Sequence, residues 1–160
     1  MEEIYKEYSK VIYKYLLSLS NNTEISEELT QETFYSAVKN IHKYRKEASL
    51  KTWLCKIAKN KWIDYYKKKQ KHEEINIEDI NETSLISDNI EEIYNSKEEI
   101  MNIYKIIHTL DENSKEVVLL RIQANFSFKE IGVIMGKSEE WARITFYRAK
   151  IKLKEEFKNE

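Results

Sequence analysis

The sequence predicts an all-α protein of two small helical domains joined by a flexible acidic linker, the second domain carrying a helix-turn-helix. Three observations lead there. The chain has no proline and only two glycines beside abundant Lys, Glu, Ile and Leu, so helix breakers and the punctuation of tight hairpins are nearly absent. Apolar residues recur at threes and fours through residues 1–72 and again through 98–160, with residues 73–97 as the linker between. Charge follows the same division. A formal net charge of -1 conceals net +6 over residues 1–72, net -9 over 73–99 and net +2 over 100–160. Each module, at roughly 60 residues, has room for only a modest core.

The first helix is expected over residues 2–20, with Ile4, Tyr8, Val11, Ile12, Tyr15 and Leu19 on one face and the polar run Ser18 to Asn22 ending it. Thr23 is placed to cap the second helix, whose first turn carries acids suited to the helix dipole. Its stripe of Phe34, Ala37, Val38 and Ile41 is expected to face inward, leaving Glu28, Gln31 and Glu32 outside. Solvation and docking on a partner both fit that outer face.

Lys43 to Ser49 interrupts the stripe and reads as a basic loop with access to phosphates. The third helix starts at Leu50. It is expected to bury Leu50, Trp53, Leu54, Ile57 and Ala58 and to show Thr52, Lys56, Lys59, Asn60 and Lys67 on another face. Residues 39–71 hold 12 basic and 2 acidic side chains, with Tyr44, Trp53, Trp62, Tyr65 and Tyr66 among them. Cations interleaved with aromatics suit single-stranded bases, although Trp53 fits the core better.

In the linker, isolated Ile residues mix with Asn, Ser and acids at no helical period before Ile90. A tether of that charge is repelled from phosphate and is also suited to shielding the basic faces of the free chain from DNA.

Period 3.6 returns near Ser96, with Ile100, Ile103, Tyr104, Ile107 and Leu110 expected inside and a break at Asp111 to Asn113. A helix through Val117, Val118, Leu119, Leu120 and Ile122 follows, then a short one burying Ile131 and Ile134. Gly136 supplies the turn, Ser138 the cap, and a longer helix begins near Glu139. Gly132, four residues before Gly136, lets the two helices approach closely. In a helix-turn-helix the second helix enters the major groove, and here it would present Glu140, Arg143, Ile144, Tyr147 and Arg148. An ordinary helical hairpin with solvated Arg and Lys shares the same pattern.

Several function classes are excluded or disfavoured. Cys55 is the only cysteine, so no intramolecular disulfide or cysteine-rich zinc site can form, and His42, His72 and His108 are scattered; no metal or cofactor is expected. The acidic start lacks an apolar signal core, and no apolar run approaches the ~20 residues that span a bilayer, so no membrane insertion and a cytoplasmic location are expected. No paired-carboxylate motif, phosphate-cradling glycine loop or nucleophile with a base is present, so no enzyme activity is expected.

Three blocks, in order and spacing, resemble the extracytoplasmic-function (ECF) group of bacterial RNA polymerase sigma factors in the sigma-70 superfamily: EELTQETF (27–34), ASLKTWLCKIAKNKWIDYYKKK (48–69) and the stretch from TLDENSKEVVLLR to FYRAK (109–150). The resemblance implies an alternative sigma factor that directs core RNA polymerase to specific promoters and helps initiate transcription. Residues 1–72 would be sigma region 2 and 98–160 sigma region 4. Glu28, Gln31 and Glu32 would grip the clamp helices of the polymerase's largest subunit. Lys43, Tyr44, Arg45, Lys46 and Ser49, with Thr52, Lys56, Lys59, Asn60 and Lys67, would hold the melted non-template strand of the minus-ten element. Lys137, Ser138, Glu139, Glu140, Arg143, Ile144, Tyr147 and Arg148 would read the minus-thirty-five element. An anti-sigma factor is a further implied partner.

The family often has Pro where Asp111 stands, Gly where Asn125 stands, and a Gly-Thr-Val-like start to the recognition helix where this chain has Glu140, Trp141 and Ala142. The first two changes are expected to alter local turns, the third the preferred base sequence. Trp141 is expected to pack back on its domain. The main alternative function is a stand-alone helix-turn-helix regulator, which would bind duplex DNA as a symmetric dimer without polymerase.

Overall fold

The computed structural model describes residues 1–72 and 97–159, which belong to two compact units, each all-helical among the described residues. The linker expected at 73–97 lies outside the described residues except for Lys97.

In the first unit, α1 (Glu2–Ser20), α2 (Thr23–Asn40) and α3 (Leu50–His72) each pack against the other two, and a single 3-10 turn, Ile41–Lys43, follows α2. Asn21 ends α1 in the left-handed conformation at φ 52°, where its N–H donates to the Leu17 carbonyl. Asn22, rather than Thr23, caps α2: its side chain accepts from the Ile25 N–H at 3.0 Å. Asparagine is a better cap than threonine, and the chain reverses one residue earlier than the pattern implied.

The core is built on Ile12, Leu16, Leu29, Phe34, Leu54 and Ala58, with Tyr5 edge-on to Phe34 at 4.9 Å. The inward face of α2 is Ser26, Leu29, Thr30, Thr33, Phe34 and Ala37. Val38 and Ile41, expected inside, are 49 % and 40 % exposed. The polar-looking Thr30 and Thr33 take the inner positions because their hydroxyls donate to the carbonyls of Ser26 and Leu29, at 2.6 and 2.7 Å.

In the second unit, α7 (Glu139–Lys158) packs on α4 (Lys97–His108), α5 (Glu112–Ile122) and α6 (Phe128–Met135). Ile107, Leu110, Val118, Leu119 and Ala149 form one cluster, flanked by Phe146 and Leu153. Ile106 is buried, whereas Ile103, expected inside, is 37 % exposed; the side chains of Ile100 and Tyr104 lie outside the described residues. Ile122, at the end of α5, is exposed. The break expected through Asn113 is shorter, since Asp111 caps α5 by accepting from the Ser114 N–H at 3.1 Å and the helix restarts at Glu112. Ser127 and Glu130 complete a reciprocal capping box on α6.

Between α6 and α7, Gly136 adopts φ 66° and the Lys137 N–H donates to the Gly132 carbonyl at 2.8 Å. Ser138 then caps α7, accepting from the Trp141 N–H at 3.0 Å. A Cβ on Gly132 would stand 2.8 Å from the Lys137 carbonyl oxygen and 3.0 Å from the Ser138 backbone, so only glycine permits this turn.

Candidate nucleic-acid interfaces

On α3 the helical repeat sets Lys56, Asn60 and Lys67 along one stripe with Lys59 beside it. Asn60 and Lys67 are exposed; Lys56 and Lys59 are half-buried. Thr52 does not join them. It is fully buried, and its hydroxyl lies 2.8 Å from Ser49 Oγ. Thr52, Cys55 and Ala58 repeat every three residues as small side chains on the inner face, which lets α3 sit close to its neighbours. The expectation that Thr52 contacts DNA is therefore corrected: Thr52 belongs to the core. Leu50, Trp53 and Ile57, expected to be buried, are half-buried.

Ser49 Oγ accepts from the Thr52 N–H at 3.1 Å and starts α3. The loop before it carries exposed Arg45, Lys46 and Glu47 beside exposed Lys43, with Lys46 in the left-handed conformation at φ 59°. Tyr44 is half-buried against Trp53, ring centres 5.1 Å apart. Along the helix, Trp62 contacts Tyr65 and Tyr66 with ring centres 5.9 and 5.8 Å apart, giving an aromatic group among the lysines. Tyr8, on α1, has its phenol pushed up by a hydrogen bond to Glu7 and by burial, with a smaller electrostatic push from Tyr44.

Glu28, Gln31 and Glu32 are all exposed on α2, as expected. Glu32 stands 3.9 Å from Lys61 of α3. Gln31 borders a groove between α1 and α2 that Tyr5, Ser9, Tyr13, Glu27 and Thr30 also line.

In the second unit, Lys137, Ser138, Glu139, Glu140, Arg143, Ile144, Tyr147 and Arg148 are all exposed, while Ala142 and Ala149 are buried on the opposite side of α7. One helix thus has an anchored face and a free face of the width a major groove admits. Trp141 is half-buried and borders a groove with Asp111, Ser114, Thr145 and Arg148. The pattern of polar residues did not reveal the support beneath Arg143. Arg121 and Arg143 place their guanidinium carbons 4.5 and 5.8 Å from the centre of the Phe128 ring, and Phe128 packs with Phe146 and Tyr147. Among the described residues no group of three or more His, Cys, Asp or Glu could hold a metal, and no helix is long and apolar enough to cross a membrane.

Comparison with known proteins agrees with these features. Residues 4–72 match the family model for sigma-70 region 2. The chain is 32 % identical over 156 residues to the ECF RNA polymerase sigma factor SigM of Bacillus subtilis, covering 96 % of this chain and 93 % of SigM. It is 27 % identical to the RNA polymerase sigma factor YlaC of the same organism, over 96 % of this chain and 90 % of YlaC. Its fold is similar to that of the sigma factor RpoE solved with the anti-sigma factor NepR from Bartonella quintana, with TM-score 0.76, 19 % identity and coverage of 98 % and 96 % of the two chains. CnrH, solved in complex with the cytosolic domain of CnrY, matches with TM-score 0.69 and 17 % identity over 99 % and 88 %.

Proposed function

Since the chain belongs to the ECF group of RNA polymerase sigma factors, we propose that its two units divide promoter recognition: residues 1–72 dock on core polymerase and hold the opened minus-ten element, and residues 98–160 read the minus-thirty-five element. Similarity to SigM along nearly the whole of both chains carries this reading. The stripe of half-buried Lys56 and exposed Asn60 and Lys67 supports the first assignment and the free face of α7 the second.

Glu28, Gln31 and Glu32 are the polymerase contacts. Lys43, Arg45, Lys46, Lys56, Lys59, Asn60 and Lys67 attract the melted strand, and Tyr44 and Ser49 shape the loop that meets it. On α7 and its leading turn, Arg143 donates to guanine or phosphate, Glu140 accepts from cytosine, Ile144 offers an apolar contact to a thymine methyl, and Lys137, Ser138, Glu139, Tyr147 and Arg148 complete the surface.

Two weak readers on one chain raise each other's effective concentration once both are mounted on polymerase, so neither needs tight binding alone. Capture of an unstacked base offsets part of the few kcal/mol its extrusion costs, which couples melting to recognition. Bond formation stays with the polymerase. The sigma factor RpoE was solved in complex with the anti-sigma factor NepR, and we place an anti-sigma factor among this chain's partners on that analogy.

Titration of labelled full-length chain with bacterial core polymerase tests the docking assignment. Saturable binding that Gln31→Ala weakens by about tenfold or more is the expected result. A chain that ignores polymerase but binds duplex DNA as a dimer would instead be a stand-alone regulator.

A further inference from the structure

We infer that Tyr44 is a positioning residue that holds the basic loop of the first unit in its DNA-ready shape before DNA arrives, rather than a residue that touches a base. The inference rests on the reading that this loop receives the melted minus-ten strand.

The Tyr44 hydroxyl donates to the Ala48 carbonyl at 2.6 Å, closing the loop on itself. Its ring packs on Trp53, 5.1 Å between centres, in the first turn of α3. Its backbone N–H donates to the Ile41 carbonyl at 3.1 Å, and the Trp53 N–H donates to the Ser49 carbonyl at 2.9 Å. One side chain therefore ties the end of the 3-10 turn to the end of the loop and to the start of α3. Arg45, Lys46 and Glu47 project between those ties, all exposed.

At φ 59°, Lys46 adopts a left-handed conformation that is disfavoured for lysine, so the loop gains from any contact that holds its ends. The strap supplies such a contact. An ordered loop has already lost the conformational entropy that base capture would otherwise cost it, so tighter and more selective binding follows without a new contact. While the Tyr44 hydroxyl donates to Ala48, its proton is committed and unavailable to a base.

The test is Tyr44→Phe in the full chain bound to core polymerase. This change removes one hydroxyl and keeps the ring on Trp53. The readouts are affinity for a single-stranded oligonucleotide of the minus-ten sequence selected by the native chain, affinity for a copy with one base changed, and amide exchange at residues 45–48.

The expected result is about 3- to 10-fold weaker binding of the selected oligonucleotide. The changed copy should lose less, so discrimination shrinks, and exchange at 45–48 should accelerate. Polymerase affinity should hold, and the melting temperature of the first unit should fall by no more than about 8 °C, leaving it folded. Unchanged oligonucleotide binding overturns the inference. Weaker binding with unchanged loop exchange also overturns it, because it identifies a direct base contact. If the native holoenzyme does not prefer the selected oligonucleotide over its changed copy, the loop is not the minus-ten receiver and both readings fall together.

Discussion

Arg143, on the free face of α7, holds its guanidinium 3.2 Å from the Glu139 carboxylate one turn earlier. The same guanidinium rests beside the Phe128 ring. The pair presents the cation in a fixed place and sets an acid in competition with any phosphate or guanine that approaches.

Glu139→Gln should therefore raise affinity for arbitrary duplex DNA. Both side chains are about half exposed, 49 % and 50 %, so the pair itself is screened and the gain should be only about threefold at low salt. Fluorescence anisotropy with unrelated duplexes across a salt series checks it. Selectivity for the upstream element should fall in the same variant, since Arg143 loses one of its two supports.

Gly132→Ala should destabilise the second unit by about 2 kcal/mol, even though alanine is the better helix former by about 1 kcal/mol. The new methyl would meet the Lys137 and Ser138 backbone, which cannot yield as a side chain could. Urea unfolding followed by a probe in residues 97–159 measures the change, and upstream-element binding should fall with it.

Asn125 stands in the left-handed region at φ 52°, at a place where the family often carries glycine. Asn125→Gly should leave stability equal or raise it by about 0.5 kcal/mol, whereas Asn125→Ala should lower it by about 1 kcal/mol. The sign difference between the two variants in thermal melts is the check.

Asp111 caps α5, and the hydrogen bond from Ser114 holds its carboxyl below the usual range, helped by the charge of Lys152 and opposed by partial burial. A carboxylate with a lowered folded-state pKa contributes stability above its unfolded value and loses it as pH falls through the folded one. The contribution should therefore be complete near neutrality and fade below about pH 4. Asp111→Asn keeps a capping oxygen and should flatten that part of the profile. Asp111→Ala should cost about 1 kcal/mol at neutral pH. Urea midpoints between pH 7 and pH 3 distinguish the three chains.

Much of the fold is legible in the sequence because its punctuation is sparse and local. Gly136 and Ser138 set the turn and the start of α7 by short-range geometry. Inward faces were harder to assign where polar side chains hide satisfied hydroxyls. Thr30, Thr33 and Thr52 occupy core positions that a count of apolar residues gives to Val38 or to the charged stripe. The apolar neighbours Ile103, Ile106 and Ile107 fit more than one helical register, and only packing selects the latter two.

The cationic stripe of α3 and the free face of α7 follow directly from the 3.6 repeat. The strap from Tyr44 to Ala48 and the Phe128 ring beneath Arg143 do not. Both depend on where a side chain ends after folding, whereas the Glu139–Arg143 pair stands at the four-residue spacing that the helical repeat supplies.

Transcription from a random promoter library by core polymerase, with and without this chain, tests the central claim most directly. The predicted result is transcripts only when the chain is present, from templates sharing two sequence blocks, with Arg143→Ala relaxing the upstream block and Asn60→Ala the downstream one. Transcripts independent of the chain, or selected templates with a single palindromic block that the chain protects without polymerase, would contradict it.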